Sequence, residues 1–292
     1  MEKLKGKILR GVGGFYYVEA AGTIYECRAR GLFRKQGVTP LVGDYVTIEK
    51  DSTEGAFLTS IDKRKSELVR PAVANADRAA IVFSAAHPAP RTGLVDRYLI
   101  NLCKQEMDVH IIISKIDLAE KDEVERLKKI YELAGYDVTL VSNKTGEGID
   151  EVRAFLEGKT TVLSGPSGVG KSSLVNSLIP GLERETGEIS KKLHKGKNTT
   201  RHTEIIKMDE SSEIIDTPGF SSVELLVKDE EELKLYMKEF AELNDGCRFT
   251  GCAHINEPDC LVKEAVEEGR IARERYESYC RIYEEVKAER KW

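Results

Sequence analysis

The chain opens on short runs in which apolar and polar residues alternate, each closed by a glycine turn. Gly6–Arg10, Gly14–Ala20, Thr23–Ala29, Asp44–Glu49 and Ala56–Ile61 carry the period-two pattern and the β-branched and aromatic content of strands. Five such strands within residues 1–66 predict a small β-barrel of the OB-fold type. After the Lys63–Lys65 run and Pro71 the texture changes. Ala79–Phe83, Val109–Ile113 and Val138–Val141 are continuous apolar runs, the mark of parallel strands buried on both faces, and Thr161–Leu163 and Glu213–Ile215 extend the set. Between them Val95–Gln105 and Glu123–Leu133 place apolar residues at helical spacing. This alternation predicts a doubly wound α/β domain over 67–228. Residues 229–292 read as a helical, acidic domain interrupted by a loop rich in cysteine and histidine.

Gly165-Pro166-Ser167-Gly168-Val169-Gly170-Lys171-Ser172 fits G-x-x-x-x-G-K-[ST] in full, between the strand Thr161–Leu163 and a predicted helix Ser172–Leu178. Glycines let successive N–H groups turn inward, and the helix N-terminus adds partial positive charge, so the segment is a phosphate cradle. Ser164 and Ser173 flank it. Lys171 is placed to reach the β- and γ-phosphates, and Ser172 to hold magnesium. Asp216-Thr217-Pro218-Gly219 ends the strand Glu213–Ile215 and supplies a D-x-x-G, with Asp216 for the magnesium shell and the Gly219 N–H for the γ-phosphate. Between the two motifs, Lys191–Thr203 carries five cations, two histidines and no acid, and its Thr200 is the candidate switch threonine for magnesium. Phe220 stands directly after this D-x-x-G, at the place from which a polar side chain could orient an attacking water. A phenyl ring cannot polarise water, which predicts slow intrinsic hydrolysis, with Arg201 and His202 as candidate orienting groups.

A base reader precedes the cradle. Ser114-Lys115-Ile116-Asp117 closes the strand Val109–Ile113 in the manner of an N-K-x-D element. Asp117 can accept from the N1–H and exocyclic amine of guanine, a donor pair adenine lacks, and the Lys115 stem can cover the base. Ser142-Asn143-Lys144 follows the next strand as an S-A-K-like loop offering backbone N–H groups to guanine O6. In Ser114 a short hydroxyl replaces the usual amide that tethers this loop to the phosphate cradle. The order, base reader first and cradle second, is that of a permuted sheet whose termini were joined and recut.

Cys247, Cys252, His254 and Cys260 read C-x₄-C-x-H-x₅-C and supply a complete tetrahedral zinc shell with no open position, hence a structural one. Cys27, Cys103 and Cys280 read as plain buried thiols, and His87 and His110 as structural. The net charge of −5 argues against nucleic acid only until it is divided. Residues 1–70 are net +4 and the remainder net −9. Arg28, Arg30, Arg34 and Lys35 cluster near Phe33, while Tyr16, Tyr17 and Tyr25 are either base-stacking platforms or core. No apolar run approaches the ~18 residues of a membrane span, and the start has no apolar signal segment. The expectation is a soluble, cytoplasmic chain with free thiols rather than disulfides.

Barrel, permuted P-loop domain and zinc tail together resemble the circularly permuted, small-ribosomal-subunit-dependent GTPases of bacteria over the whole chain. The resemblance implies GTP and GDP as ligands with Mg²⁺, one structural Zn²⁺, binding to the 30S subunit and its 16S rRNA, GTP hydrolysis stimulated there, and a role in late subunit maturation. A monomer with no membrane partner is expected, with Lys171, Thr200 and Gly219 as the catalytic set. The rivals are a nucleotide-gated RNA-binding module with negligible turnover and a P-loop kinase for a small metabolite, which would have no use for Asp117.

Overall fold

A computed structural model describes residues 2–35, 37–51, 55–179, 181–182, 202–243 and 246–290. Five strands form a closed barrel: β1 (Glu2–Val12), β2 (Phe15–Ala20), β3 (Thr23–Ala29), β4 (Tyr45–Asp51) and β5 (Gly55–Ile61), with the short helix α1 (Gly31–Lys35) between β3 and β4. The order β1-β2-β3-β5-β4 is closed by β4 pairing back onto β1, so no edge is left open. Alternation fills the interior with Ile8, Val18, Cys27, Val46, Ile48 and Leu58. Phe33 joins this core instead of the basic surface. The tyrosines divide. Tyr16 and Tyr25 pack partly against the core, and Tyr17 lies under the Arg10 guanidinium, 4.2 Å from ring centroid to cation.

A two-stranded hairpin, β6 (Glu67–Leu68) and β7 (Val73–Ala74), leads into the α/β domain. That domain holds β8 (Arg78–Ser84), α2 (Thr92–Lys104), β9 (Val109–Ser114), α3 (Lys121–Leu133), β10 (Asp137–Val141), α4 (Ile149–Leu156), β11 (Thr160–Ser164), α5 (Lys171–Leu178), β12 (Glu204–Lys207) and β13 (Glu213–Asp216). Its sheet runs β10-β9-β8-β11-β13-β12, with the first five strands parallel and β12 antiparallel. The three central parallel strands β8, β9 and β11 are almost wholly buried, as their unbroken apolar runs require. β12 bridges β1 through Arg10 and Glu204, which makes barrel and domain one continuous sheet.

The C-terminal part differs from expectation. Residues 229–243 form two short 3₁₀ turns, Leu233–Tyr236 and Lys238–Phe240, and no α-helix. Met237 between them is extended, because Leu233, Met237 and Phe240 are all drawn into one core with the cysteine loop. Beyond the cysteine loop the helical stretch is two helices, α6 (Leu261–Glu267) and α7 (Arg273–Arg290), parted at Gly269 in the left-handed region.

Candidate nucleotide and metal sites

The cradle is built where β11 meets α5. Gly165, Gly168 and Gly170 take φ of +155°, +80° and +97°, which side chains rarely adopt, and a Cβ on Gly165 would collide with the Val82 carbonyl. Ser167 and Gly168 are open to solvent, while Ser172 and Ser173 are half-buried in the first turn of α5. Lys171 is 7% exposed and folds back on the loop, donating to the Gly165 and Pro166 carbonyls at 2.7 and 3.1 Å. Burial pushes its ammonium down to about 8, against the opposing pull of Asp216.

Asp216 is fully buried at the end of β13, opposite Leu163 of β11. The chain then crosses directly over the cradle. Phe220 pairs with Pro166 in a parallel bridge, and a Cβ on Gly219 would stand 2.7 Å from the Ser167 Cα and 3.2 Å from the Lys171 ammonium. Glycine at 219 is therefore a condition of this close approach. The Phe220 ring is half-buried and stacks on Tyr98 at 4.9 Å.

The two candidate base-reading loops meet the cradle by hydrogen bonds. Ser114 Oγ lies 2.6 Å from the Val169 carbonyl and 3.1 Å from that of Phe83, fully buried. The short hydroxyl thus spans loop and cradle, and the tether expected to weaken with serine is present. Lys115, at φ +58°, sends its ammonium to the carbonyls of His87 (2.5 Å) and Gly168 (2.7 Å). Asp117 is exposed, and its Oδ1 accepts from Ser142 Oγ at 2.7 Å. Ser142 Oγ in turn caps the N–H groups of Lys144 and Thr145, and Asn143 leans on the Gly170 carbonyl at 3.4 Å. Ile116 opens the one-turn 3₁₀ helix that carries Asp117. Three segments far apart in sequence therefore form one continuous rim.

Thr200 and Arg201 lie outside the described residues, as do residues 191–199. His202 is exposed and, with Thr203 and Pro218, lines a cleft of about 390 Å³ facing the β1–β2 hairpin. Sequence reading missed the surroundings of Ser164. Its Oγ accepts from Tyr98 at 2.8 Å and pairs with Thr217 Oγ1 at 2.7 Å, so it is engaged beneath the cradle. No local signal marks Tyr98, because its partners are distant in the chain.

In the tail, the ligand atoms of Cys247, Cys252, His254 and Cys260 all lie within 4.8 Å of one another. Nδ1 is the histidine atom turned to sulfur, 3.3 Å from Cys260 and 3.7 Å from Cys247. Burial, aided by Lys234, pushes His254 down to about 4 and keeps it in the neutral form a metal requires. The backbone around it is held in place. Tyr276 and Tyr279 of α7 donate to the His254 and Ala253 carbonyls at 2.8 and 2.6 Å, and Glu257 accepts from the N–H groups of Ala253, Ile255 and Asn256. A preformed set of three sulfurs and one imidazole fits a tetrahedral zinc ion. Of the thiols outside it, Cys27 is buried, whereas Cys103 and Cys280 are only half-buried. His110 is structural, bonded to Thr139 Oγ1 at 2.8 Å and stacked on Phe155.

A phosphate cradle preceded in sequence by its base-reading loops, between a closed barrel and a Cys₃His tail, defines a circularly permuted GTPase. The profile described as RsgA GTPase matches residues 61–226, and that described as RsgA N-terminal domain matches residues 5–58. The chain belongs to the RsgA GTPase family and is a GTP hydrolase of that family. A protein of Agathobacter rectalis named small ribosomal subunit biogenesis GTPase RsgA is 47% identical over 302 residues, covering 99% of this chain and 100% of that one. Its namesake in Alkaliphilus metalliredigens is 44% identical over 290 residues, covering 99% of each. The crystal structure of YjeQ from Thermotoga maritima superposes with a TM-score of 0.79 at 36% identity, covering 98% of this chain and 99% of that one. YloQ, described as a circularly permuted GTPase, gives 0.75 at 36% identity, covering 99% and 96%. These relatives favour the hydrolase over a binding module without turnover.

Proposed function

We propose that this protein is a cytoplasmic, monomeric GTPase that docks on the 30S ribosomal subunit, contacts its 16S rRNA and uses GTP hydrolysis to leave it late in maturation. The observation that carries the reading is one rim in which Ser114 bonds the cradle residue Val169, Asn143 bonds Gly170 and Ser142 bonds Asp117, in a chain whose relatives are named small ribosomal subunit biogenesis GTPase. Barrel, GTPase domain and tail divide at 66/67 and 228/229.

Guanine is read by Asp117, with Lys115 and Ile116 framing the base and Ser142, Asn143 and Lys144 offering N–H groups. Ser164 to Ser173 cradle the phosphates. Ser172, Asp216 and Thr200 are the residues that would hold Mg²⁺, which would offset the phosphate charge when bound. Lys171 must leave the Gly165 and Pro166 carbonyls to meet phosphate, and Gly219 approaches the same ammonium, since a Cβ there would stand 3.2 Å from it. Cys247, Cys252, His254 and Cys260 would hold one Zn²⁺, whose part is to fix the loop.

The barrel supports an RNA contact. Arg10 over Tyr17 and Arg28 over Phe15 pair cations with rings, and the cleft against Thr203 and Pro218 gives bound RNA a direct path to both switch ends. Sedimentation with 30S, 50S and 70S particles under GDP and a non-hydrolysable GTP analogue tests the partner. Selective retention on 30S with the analogue is expected, and equal retention in both nucleotides would defeat the reading. For the base reader, Asp117→Asn should turn preference toward xanthine nucleotide; an unchanged preference would remove Asp117 from its role.

A further inference from the structure

We propose that Tyr98 is a positioning residue for GTP hydrolysis, setting the Asp216–Phe220 segment against the P-loop and tying that setting to the helix on which the C-terminal domain docks. The inference rests on the nucleotide seat proposed above, and GDP binding by the unaltered protein tests that seat separately.

Tyr98 is buried, 4% exposed, and is engaged at both ends. Its hydroxyl donates to Ser164 Oγ at 2.8 Å. Ser164 and Thr217 share the next bond at 2.7 Å, and Thr217 Oγ1 donates to the Leu163 carbonyl at 3.0 Å. With Ser164 as donor to Thr217, every hydroxyl in this chain gives one hydrogen bond and accepts at most one, so the chain is directional and complete. It joins the last residue before the P-loop to the residue after Asp216. The same tyrosine presents its ring to Phe220, at 4.9 Å, and Phe220 bridges Pro166. One side chain thus grips the crossing segment at two points, on either side of Pro218 and Gly219.

Neighbours on α2 carry the other half. Consecutive helical residues point about 100° apart. Asp96 faces the tail and binds Arg275 of α7 at 2.7 Å, both 1% exposed. Arg97 holds Glu285 of α7 through two bonds of 2.6 and 2.7 Å, and donates to the Val223 carbonyl at 3.1 Å. One turn on, Asn101 pairs with the backbone of Glu224 and Leu226. A displacement of α7 therefore reaches α2 at two points, and α2 reaches the D-T-P-G segment through Tyr98. A cavity of about 200 Å³ walled by Tyr98, Ser164, Thr217 and Phe220 leaves room for that segment to repack.

The test uses the full chain, with GDP affinity measured beside single-turnover GTP hydrolysis at saturating protein. Tyr98→Phe keeps the ring and removes the hydroxyl. Hydrolysis should slow roughly three- to tenfold, the size of one neutral hydrogen bond, with the GDP dissociation constant within about twofold. Thr217→Val breaks the same chain from its other end, and the double variant should be no slower than the worse single one. Tyr98→Leu, which also removes the ring, should slow hydrolysis further. An unchanged rate in Tyr98→Phe, an equal loss of GDP affinity and rate, or a multiplicative loss in the double variant would each overturn the proposal.

Discussion

The barrel and the tail are joined to the same GTPase domain by different physics. The barrel closes on itself around a core of its own. Among the described residues it meets the domain through Val42 and Leu9, which pack into the domain's core, the Arg10–Glu204 and Val42–Val73 bridges, and the ion pairs Lys7–Glu213 and Lys207–Glu19. The tail has no sheet among its described residues. Its core gathers around the cysteine loop and takes in Ile100 of α2, and its joint contains a buried charge cluster, Arg275 between Asp96 and Glu239. Burial works against the charge of Arg275, but Glu239 and Asp96 outweigh it and hold the guanidinium well above its ordinary range. The difference is that the barrel keeps most of its core to itself, whereas the tail shares its core with Ile100 of α2 and its buried charge cluster with Asp96.

Removing the metal should produce the largest contrast. Zinc bound by a shell of this kind is worth about 10–16 kcal/mol in isolated zinc-finger peptides, as much as a typical domain's whole stability. Chelation of the zinc-loaded protein should strip hydrogen-exchange protection from α6 and α7 and lower that of α2, while β1–β5 keep theirs. Loss of barrel protection alongside α7 would show the two joints to be alike.

Next in size is a matched pair of substitutions. Arg275→Gln leaves two carboxylates buried without their cation, and breaking such a pair costs about 3–5 kcal/mol. Lys207→Ala at the barrel joint removes a half-exposed pair and should cost about 1 kcal/mol or less. Urea unfolding of the two variants measures the difference, and equal costs would end the comparison.

How much of this is legible in the sequence follows from how local each feature is. The P-loop, the D-T-P-G turn, Asp117 and the cysteine loop belong to short patterns whose residues stand within a few positions of one another, so each is visible as a motif. The β-strands of the barrel alternate because one face is core, so Thr23–Ala29 is readable to the residue. Tyr98 is different: its meaning lies at Ser164 and Thr217, and nothing near residue 98 announces them. Arg275 sits in a Glu- and Arg-rich helix that resembles a solvated face, and only the fold shows it to be 1% exposed. Residues 229–243 have helical spacing at Leu233, Met237 and Phe240, but the pull of the cysteine-loop core is stronger than intrinsic propensity. Ser114 yields its tether only once β9 is set beside the P-loop.

The smallest expected effect sharpens the comparison at the nucleotide itself. Lys171 is held at about 8 because burial opposes its charge, and phosphate demands the charged form. Bound nucleotide must then raise its pKa, so protons and GDP favour each other. GDP affinity should accordingly be flat below pH 8 and fall as pH rises above it, by at most about tenfold per unit. A joint that shapes the P-loop should move this midpoint, and one that does not should leave it alone. Glu285→Gln weakens the paired bonds to Arg97 on α2, relaxes the Tyr98 contact and lets water toward Lys171, so its midpoint should rise toward the ordinary lysine value. Lys207→Ala should keep the parent midpoint. A fluorescent-GDP titration from pH 7 to pH 10 resolves the two, and coincident profiles would mean that α2 carries no more to the nucleotide than the barrel does.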